Sequence, residues 1–241
     1  MDGKDFSQQQ TDAAAKTERR MAAVQPVEVS IPPMRPRPDC CDDPYEVHRD
    51  RRMRERAWDA AGVPTRHKAA IHTVTPGGAW AEKLAALAGR LGDGFLAALL
   101  GGRGGGKTQM AANLIHAHIT AAERPSARYV RATEILMALK ETYRRDATET
   151  EAGVIARFAR PRLLVIDEAH ERGESEWEGR ILTHLIDLRY AEARDTLLIS
   201  NHEPKRFRES VGESIYSRLA ETGGVIVCDW PSFRAAARNR A

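Results

Sequence analysis

The chain has 241 residues, a formal net charge of +3, and 42% hydrophobic against 29% charged residues. That length buries one substantial core plus an appendage and excludes three independent domains, while so mild a charge permits contact with nucleic acid without requiring it. The longest apolar runs, Phe95 to Leu100 and Leu163 to Ile166, fall far short of the roughly 20 residues a membrane span needs.

Three cysteines are too few for a disulfide framework, and the first residues lack the apolar core of a secretory signal. A cytoplasmic protein with reduced thiols and no membrane partner is expected. Residues 1 to 43 mix Gln, Ala, Lys and Glu and then Pro32, Pro33, Pro36 and Pro38. Too few large apolar groups are present to offset the entropy of folding, so this segment is expected to be disordered. Cys40, Cys41 and His48 make a poor metal site, because adjacent thiols cannot readily share one ion and no CxxC pair supports them. From Tyr45 to Ala61, Met53, Ala57 and Ala60 or Ala61 recur at helical spacing, and Gly62 and Pro64 end that helix. Between residues 45 and 68, seven basic residues stand against four acidic ones. This helical extension, 44 to 79, is read as a face for DNA or a protein partner, with a solvated helix surface as the alternative.

From Trp80 onward helices alternate with short apolar runs. A helix over Trp80 to Leu91 precedes a strand from Gly94 to Leu100, and a second helix starts near Gly106 and continues through His118. Arg128 to Arg131 is the next strand, followed by a helix capped by Thr133 and carrying Ile135, Leu136 and Leu139. A helix within 147 to 158 leads to the strand Arg162 to Ile166. The stripe Trp177, Ile181, Leu185 and Leu188 marks the following helix, and Thr196 to Ser200 the fourth strand. A short helix ending in Ser214 to Leu219 leads to the last strand, Val225 to Asp229. Residues 80 to 241 thus predict a three-layer α/β/α sandwich around a five-stranded parallel sheet, with no internal repeat.

Two motifs carry chemistry. Gly101, Gly102, Arg103, Gly104, Gly105, Gly106, Lys107 and Thr108 match GxxxxGK[ST] directly after a predicted strand and at the opening of a helix. Glycines there let backbone N–H groups and the helix N-terminus face phosphate; Lys107 reaches the β and γ phosphates, and the Thr108 hydroxyl meets a magnesium ion. Leu163 to Glu168 is an apolar strand that ends in two carboxylates, the form of a Walker B element. Asp167 is expected to hold magnesium through its water shell, and Glu168 to orient and activate the water that attacks ATP. Asp167, Glu168, Ala169 and His170 also spell a DEAH box, but no second set of nucleotide motifs exists for the tandem motors such helicases use. Asn201, at the end of the fourth strand, is placed to reach the γ phosphate between the two motifs. Without those neighbours it reads as an ordinary turn former before Pro204.

The run from Ser217, Arg218 and Leu219 through the last strand to Trp230, Pro231, Ser232, Phe233 and Arg234 adds a further pattern, together with TLLISN and LLVIDE. Over about residues 80 to 235 it resembles the DnaC and IstB branch of AAA+ ATPases. The resemblance implies a P-loop NTPase with an AAA+ core that hydrolyses ATP with Mg2+. Asn201 takes the sensor 1 role, Arg218 that of an arginine finger acting on a neighbour's ATP, and Arg234 that of sensor 2. Self-association through the ATPase domain and slow turnover by an isolated monomer follow. Arg189 and Tyr190 match the Arg-Tyr pair of that branch, with no chemistry assigned. The leading function implied is a replicative helicase loader that binds a DnaB-type hexameric helicase and helps place it on single-stranded DNA. The alternatives are an IstB-like transposition helper and a nucleotide-gated adaptor that scarcely hydrolyses.

Overall fold

A computed structural model of the chain describes residues 44–71, 78–169 and 176–233. The expectations for residues 1 to 43, for His170 and for Arg234 fall outside these residues. Strands β1 (Leu96–Leu100), β3 (Leu163–Asp167) and β4 (Asp195–Ser200) are buried at every position, as a parallel sheet covered on both faces requires. With β2 (Ala127–Arg131) and β5 (Gly224–Val227) they form one sheet of order β2-β3-β4-β1-β5, every pair parallel.

Alternation along the strands divides the core into two layers. Leu96, Ala98, Leu100, Leu164, Ile166 and Leu198 meet one set of helices: α5 (Ala132–Glu141), α6 (Glu151–Ala159), α7 (Glu176–Ala191), α8 (Pro204–Val211) and α9 (Glu213–Thr222). Ala97, Leu99, Leu163, Val165, Leu197 and Ile199 meet the other set: α3 (Ala79–Ala88) and α4 (Lys107–Ala121). Ala61, Val63 and Ile71 belong to that second cluster. The residues around α1 (Pro44–Ala60) and α2 (Thr65–Ala70) therefore share a core with the sheet, and the boundary expected at residue 80 crosses continuous packing. Arg54 on α1 reaches the last carbonyls of α4, donating to Ile119 O at 2.6 Å and to Thr120 O, and Trp58 meets His116 edge-on.

Three local expectations change. Thr133 does not cap α5: β2 runs directly into the helix, and Arg131 is the N-cap residue, with Glu134 reaching back to its N–H. The helices α2 and α8 were not anticipated. The last strand ends at Val227, although Cys228 stays buried because its N–H donates to Leu100 O at 2.7 Å. At the opposite end of the sheet, buried Arg189 donates to the carbonyls of Ala159, Pro161 and Asp195 and to Thr196 Oγ1, tying α6, α7 and β4 together. No helix among the described residues is long and apolar enough to cross a membrane.

Candidate functional site

Parallel pairing brings the carboxyl ends of β1, β4 and β3 side by side, with β4 between the other two. Leu100 pairs with Ser200, and Ile166 with Leu198. The glycine loop leaves β1 and enters α4, and its backbone needs conformations that L side chains rarely adopt. Gly101 has φ of 138°, and a Cβ there would sit 2.6 Å from Cys228 O. Gly106 has φ of 73°, and its Cβ would stand 2.9 Å from the Phe233 ring. Lys107, only 5% exposed, donates from Nζ to Gly101 O at 2.7 Å and to Gly102 O at 2.8 Å.

Next to it, Thr108 Oγ1 donates to Asp167 Oδ2 at 3.1 Å, joining the two sequence motifs directly. Tyr129 OH donates to the same carboxylate oxygen, and Glu168 N donates to Oδ1 at 2.7 Å. Burial first, then the charge of Asp167 and the hydrogen bond to it, pushes the Tyr129 phenol well above its ordinary range, so it remains a donor. Glu168 has φ of 54°, a left-handed conformation that turns the chain off β3, while Ala169 N donates to Ile199 O at 2.9 Å on β4. The Glu168 carboxylate lies 3.6 Å from Arg131 Nε at the end of β2. The Cys228 thiol is pushed up to about 11, chiefly by burial, which leaves it protonated and inert.

A hydroxyl and a carboxylate meeting at one point are hard oxygen donors, a set that fits magnesium. No group of three or more His, Cys, Asp or Glu side chains able to hold a metal occurs among the described residues. An ion bound here would take further ligands from water and phosphate, as magnesium does. Backbone that a Cβ would obstruct, followed by a helix N-terminus, fits phosphate.

A family model for IstB-like ATP binding proteins matches residues 46–237. The chain belongs to the IstB-like ATP-binding family. The chain is 26% identical over 146 residues to the replicative helicase loader DnaC of Escherichia coli (strain K12). That match covers 59% of this chain and 58% of the relative, so it spans less than two thirds of either protein. The crystal structure of the DnaC helicase loader superposes with a TM-score of 0.57 at 18% identity, covering 68% of this chain and 99% of that one. The structure of DnaI gives 0.57 at 17% identity, with 73% and 98% covered. These likenesses establish the fold, an α/β P-loop NTPase, and the family makes it a nucleotide-binding domain of DnaC/IstB type.

Of the residues singled out in the sequence of this IstB-like chain, Gly101 to Thr108, Asp167 and Glu168 are brought together. Asn201 lies one residue beyond the Ser200 to Leu100 pairing, between the ends of β1 and β3. Arg218 lies elsewhere: on α9 it donates to Ser214 O at 3.0 Å, stands 3.2 Å from Asp187 on α7 and lies over the Tyr190 ring. None of these partners belongs to the glycine loop or to the end of β3. Sequence reasoning missed Tyr129 and Arg131. In β2, a period of two puts Tyr129 and Arg131 on the face opposite Val130, and two polar-headed residues at the end of a strand beside a carboxylate-ended one were the available signal.

Proposed function

We propose that this protein is a magnesium-dependent ATPase that loads a DnaB-type replicative helicase onto single-stranded DNA. The observation that carries the ATPase half is the 3.1 Å contact between Thr108 and Asp167, residues 59 apart in sequence. The loader half is supported by the similarity to a relative described as a replicative helicase loader.

In this reading the loop from Gly101 to Gly106 and the ammonium of Lys107 bind the phosphates of ATP, and Thr108 and Asp167 hold the magnesium ion. Magnesium, when bound, neutralises charge that develops on the transferred phosphoryl group. Glu168 accepts a hydrogen bond from the attacking water and orients it, and the Asn201 amide faces the γ phosphate from β4. Arg218 acts from a neighbouring copy, so an isolated monomer turns over slowly, and Arg234 acts as sensor 2. The exposed Arg51, Arg52 and Arg56 of α1 contact single-stranded DNA through its phosphates, with affinity that falls as salt rises.

Light scattering after size exclusion, on this protein, a DnaB-type hexamer and their mixture with ATP and with ADP, tests the loader reading. A co-eluting complex is expected, and no complex in either nucleotide refutes it. Glu168→Gln tests the chemistry separately: turnover falls by about 100-fold or more while nucleotide still binds. The description of the matching family model favours a second reading, an IstB-like transposition helper. Stimulated capture of target DNA by a cognate transposase, without helicase binding, distinguishes it.

A further inference from the structure

Three consecutive carbonyls of the glycine loop are each held by a group from outside it. Phe233 N donates to Gly104 O at 3.1 Å. Trp230 Nε1 donates to Gly105 O at 2.8 Å, and Trp80 Nε1 to Gly106 O at 3.3 Å. The contact is steric as well as polar: a Cβ on Gly106 would meet both the Phe233 ring at 2.9 Å and Trp80 Nε1 at 3.0 Å. Trp80 is buried on α3, ahead of β1, whereas Trp230 and Phe233 are half-buried beyond β5. The loop is thus gripped by chain from both sides of its own strand in sequence.

A planar trans peptide points its carbonyl and the N–H of the next residue in opposite directions. Anchoring the oxygens of residues 104, 105 and 106 therefore turns the N–H groups of Gly105, Gly106 and Lys107 away from the anchors. A glycine-rich loop left to itself samples many conformations, and ordering it on binding costs conformational entropy. We propose that Trp80 and Trp230 are positioning residues for the phosphate cradle: their indole N–H groups pre-aim consecutive loop amides, so that a polyphosphate meets donors already in place. The inference rests on the phosphate-site reading of residues 101 to 108, and the experiment separates the two.

Four tryptophans give four indole N–H resonances in the full-length protein, from Trp58, Trp80, Trp177 and Trp230. Trp58 packs against His116 and Trp177 against Tyr143. With ADP and magnesium, the resonances of Trp80 and Trp230 are expected to shift while those of Trp58 and Trp177 stay. Trp230→Phe keeps an aromatic ring and deletes the donor. Without nucleotide it is expected to move the backbone amide resonances of Gly105 and Gly106, a change that general loosening of the fold would not confine to them. With nucleotide, it weakens ADP binding measured by calorimetry about three- to tenfold, the value of one neutral hydrogen bond. If the wild-type protein binds ADP, yet the two indoles do not shift and the variant matches its affinity, the inference fails alone. If the wild-type protein gives no heat with ADP or ATP, the phosphate-site reading fails and takes the inference with it.

Discussion

Replacing Arg131 with Gln removes one ion-pair partner from the carboxylate that orients the attacking water in the proposed mechanism. Arg131 Nε stands 3.6 Å from Glu168 Oε2, with the two side chains 53% and 33% exposed. An ion pair this open to solvent contributes about 0.2 to 1 kcal/mol. Since about 1.36 kcal/mol corresponds to tenfold in rate, losing this one pair is worth a factor of roughly 1.4 to 5 at Glu168. The substitution leaves the backbone of Arg131 in place, including the N–H that Glu134 accepts at 3.3 Å and the pairing with Asp167. Steady-state ATP turnover should rise by that factor with KM unchanged. Salt supplies an internal control, because the screening length falls from about 10 Å at 0.1 M to about 3 Å at 1 M. The wild-type rate should therefore climb toward that of the variant as salt increases, while the gap between them closes. A tenfold fall in turnover on substitution, or a gap between the two proteins that does not narrow with salt, would refute the reasoning.

Tyr129→Phe removes a hydroxyl donor from Asp167 Oδ2. Outer-shell partners of this kind are worth roughly 10- to 100-fold in metal affinity, so the magnesium concentration for half-maximal turnover should rise at least about tenfold, while ADP binding without metal stays unchanged. Arg189→Met strands the carbonyls of Ala159, Pro161 and Asp195 in the core. At about 1 to 3 kcal/mol for each buried acceptor, urea unfolding should show a loss of roughly 3 kcal/mol or more, and a loss below about 1 kcal/mol would contradict this account. Burial raises the Asp195 carboxyl above its ordinary value, against hydrogen bonds from Gly92, Gly94 and Phe95 and the charge of Arg189. The folded protein therefore holds that proton more tightly than the unfolded chain. Stability from this group is complete below its ordinary value of 3.8 and is lost as pH rises through the folded value. Asp195→Asn, which does not titrate, should gain stability relative to wild type as pH climbs from about 4 to 7, and a constant difference across that range would contradict the sign.

The parts of the site that sequence makes legible are those whose reason is local. A buried parallel strand must be apolar along its length, so β1, β3 and β4 stand out as runs, and a phosphate loop must place its glycines, Lys107 and Thr108 contiguously. Tyr129, Arg131, Trp80 and Trp230 meet the site through contacts across the fold. Trp230 meets Gly105 at a separation of 125 residues and Tyr129 meets Asp167 at 38, and residues of these types occur in cores and on surfaces for many other reasons. The helix α8 escaped notice because PKRFRESV offers only Phe207 and Val211 to the core, one helical turn apart. Thr133 looked like a cap because such residues usually mark the end of a linker, but no linker separates β2 from α5.

Strand order also bears on Asn201. Neighbouring strands lie about 4.8 Å apart, so β1 and β3, with β4 between them, are roughly 10 Å apart. The first turn of α4 spans that gap, putting Thr108 Oγ1 within 3.1 Å of Asp167. Whatever follows β4 therefore lies beneath the bridge. The residue there is an amide, and a turn former before Pro204 is the ordinary explanation for it. The structure gives that task to its neighbour: Ser200 Oγ accepts from His202 N at 3.1 Å, whereas the Asn201 side chain makes no hydrogen bond among the described residues. Among the described residues, then, the half-buried Asn201 amide is not the group that holds this turn, which leaves it open to the role proposed for it. In the proposed mechanism that role is to face the γ phosphate held between the two flanking motifs.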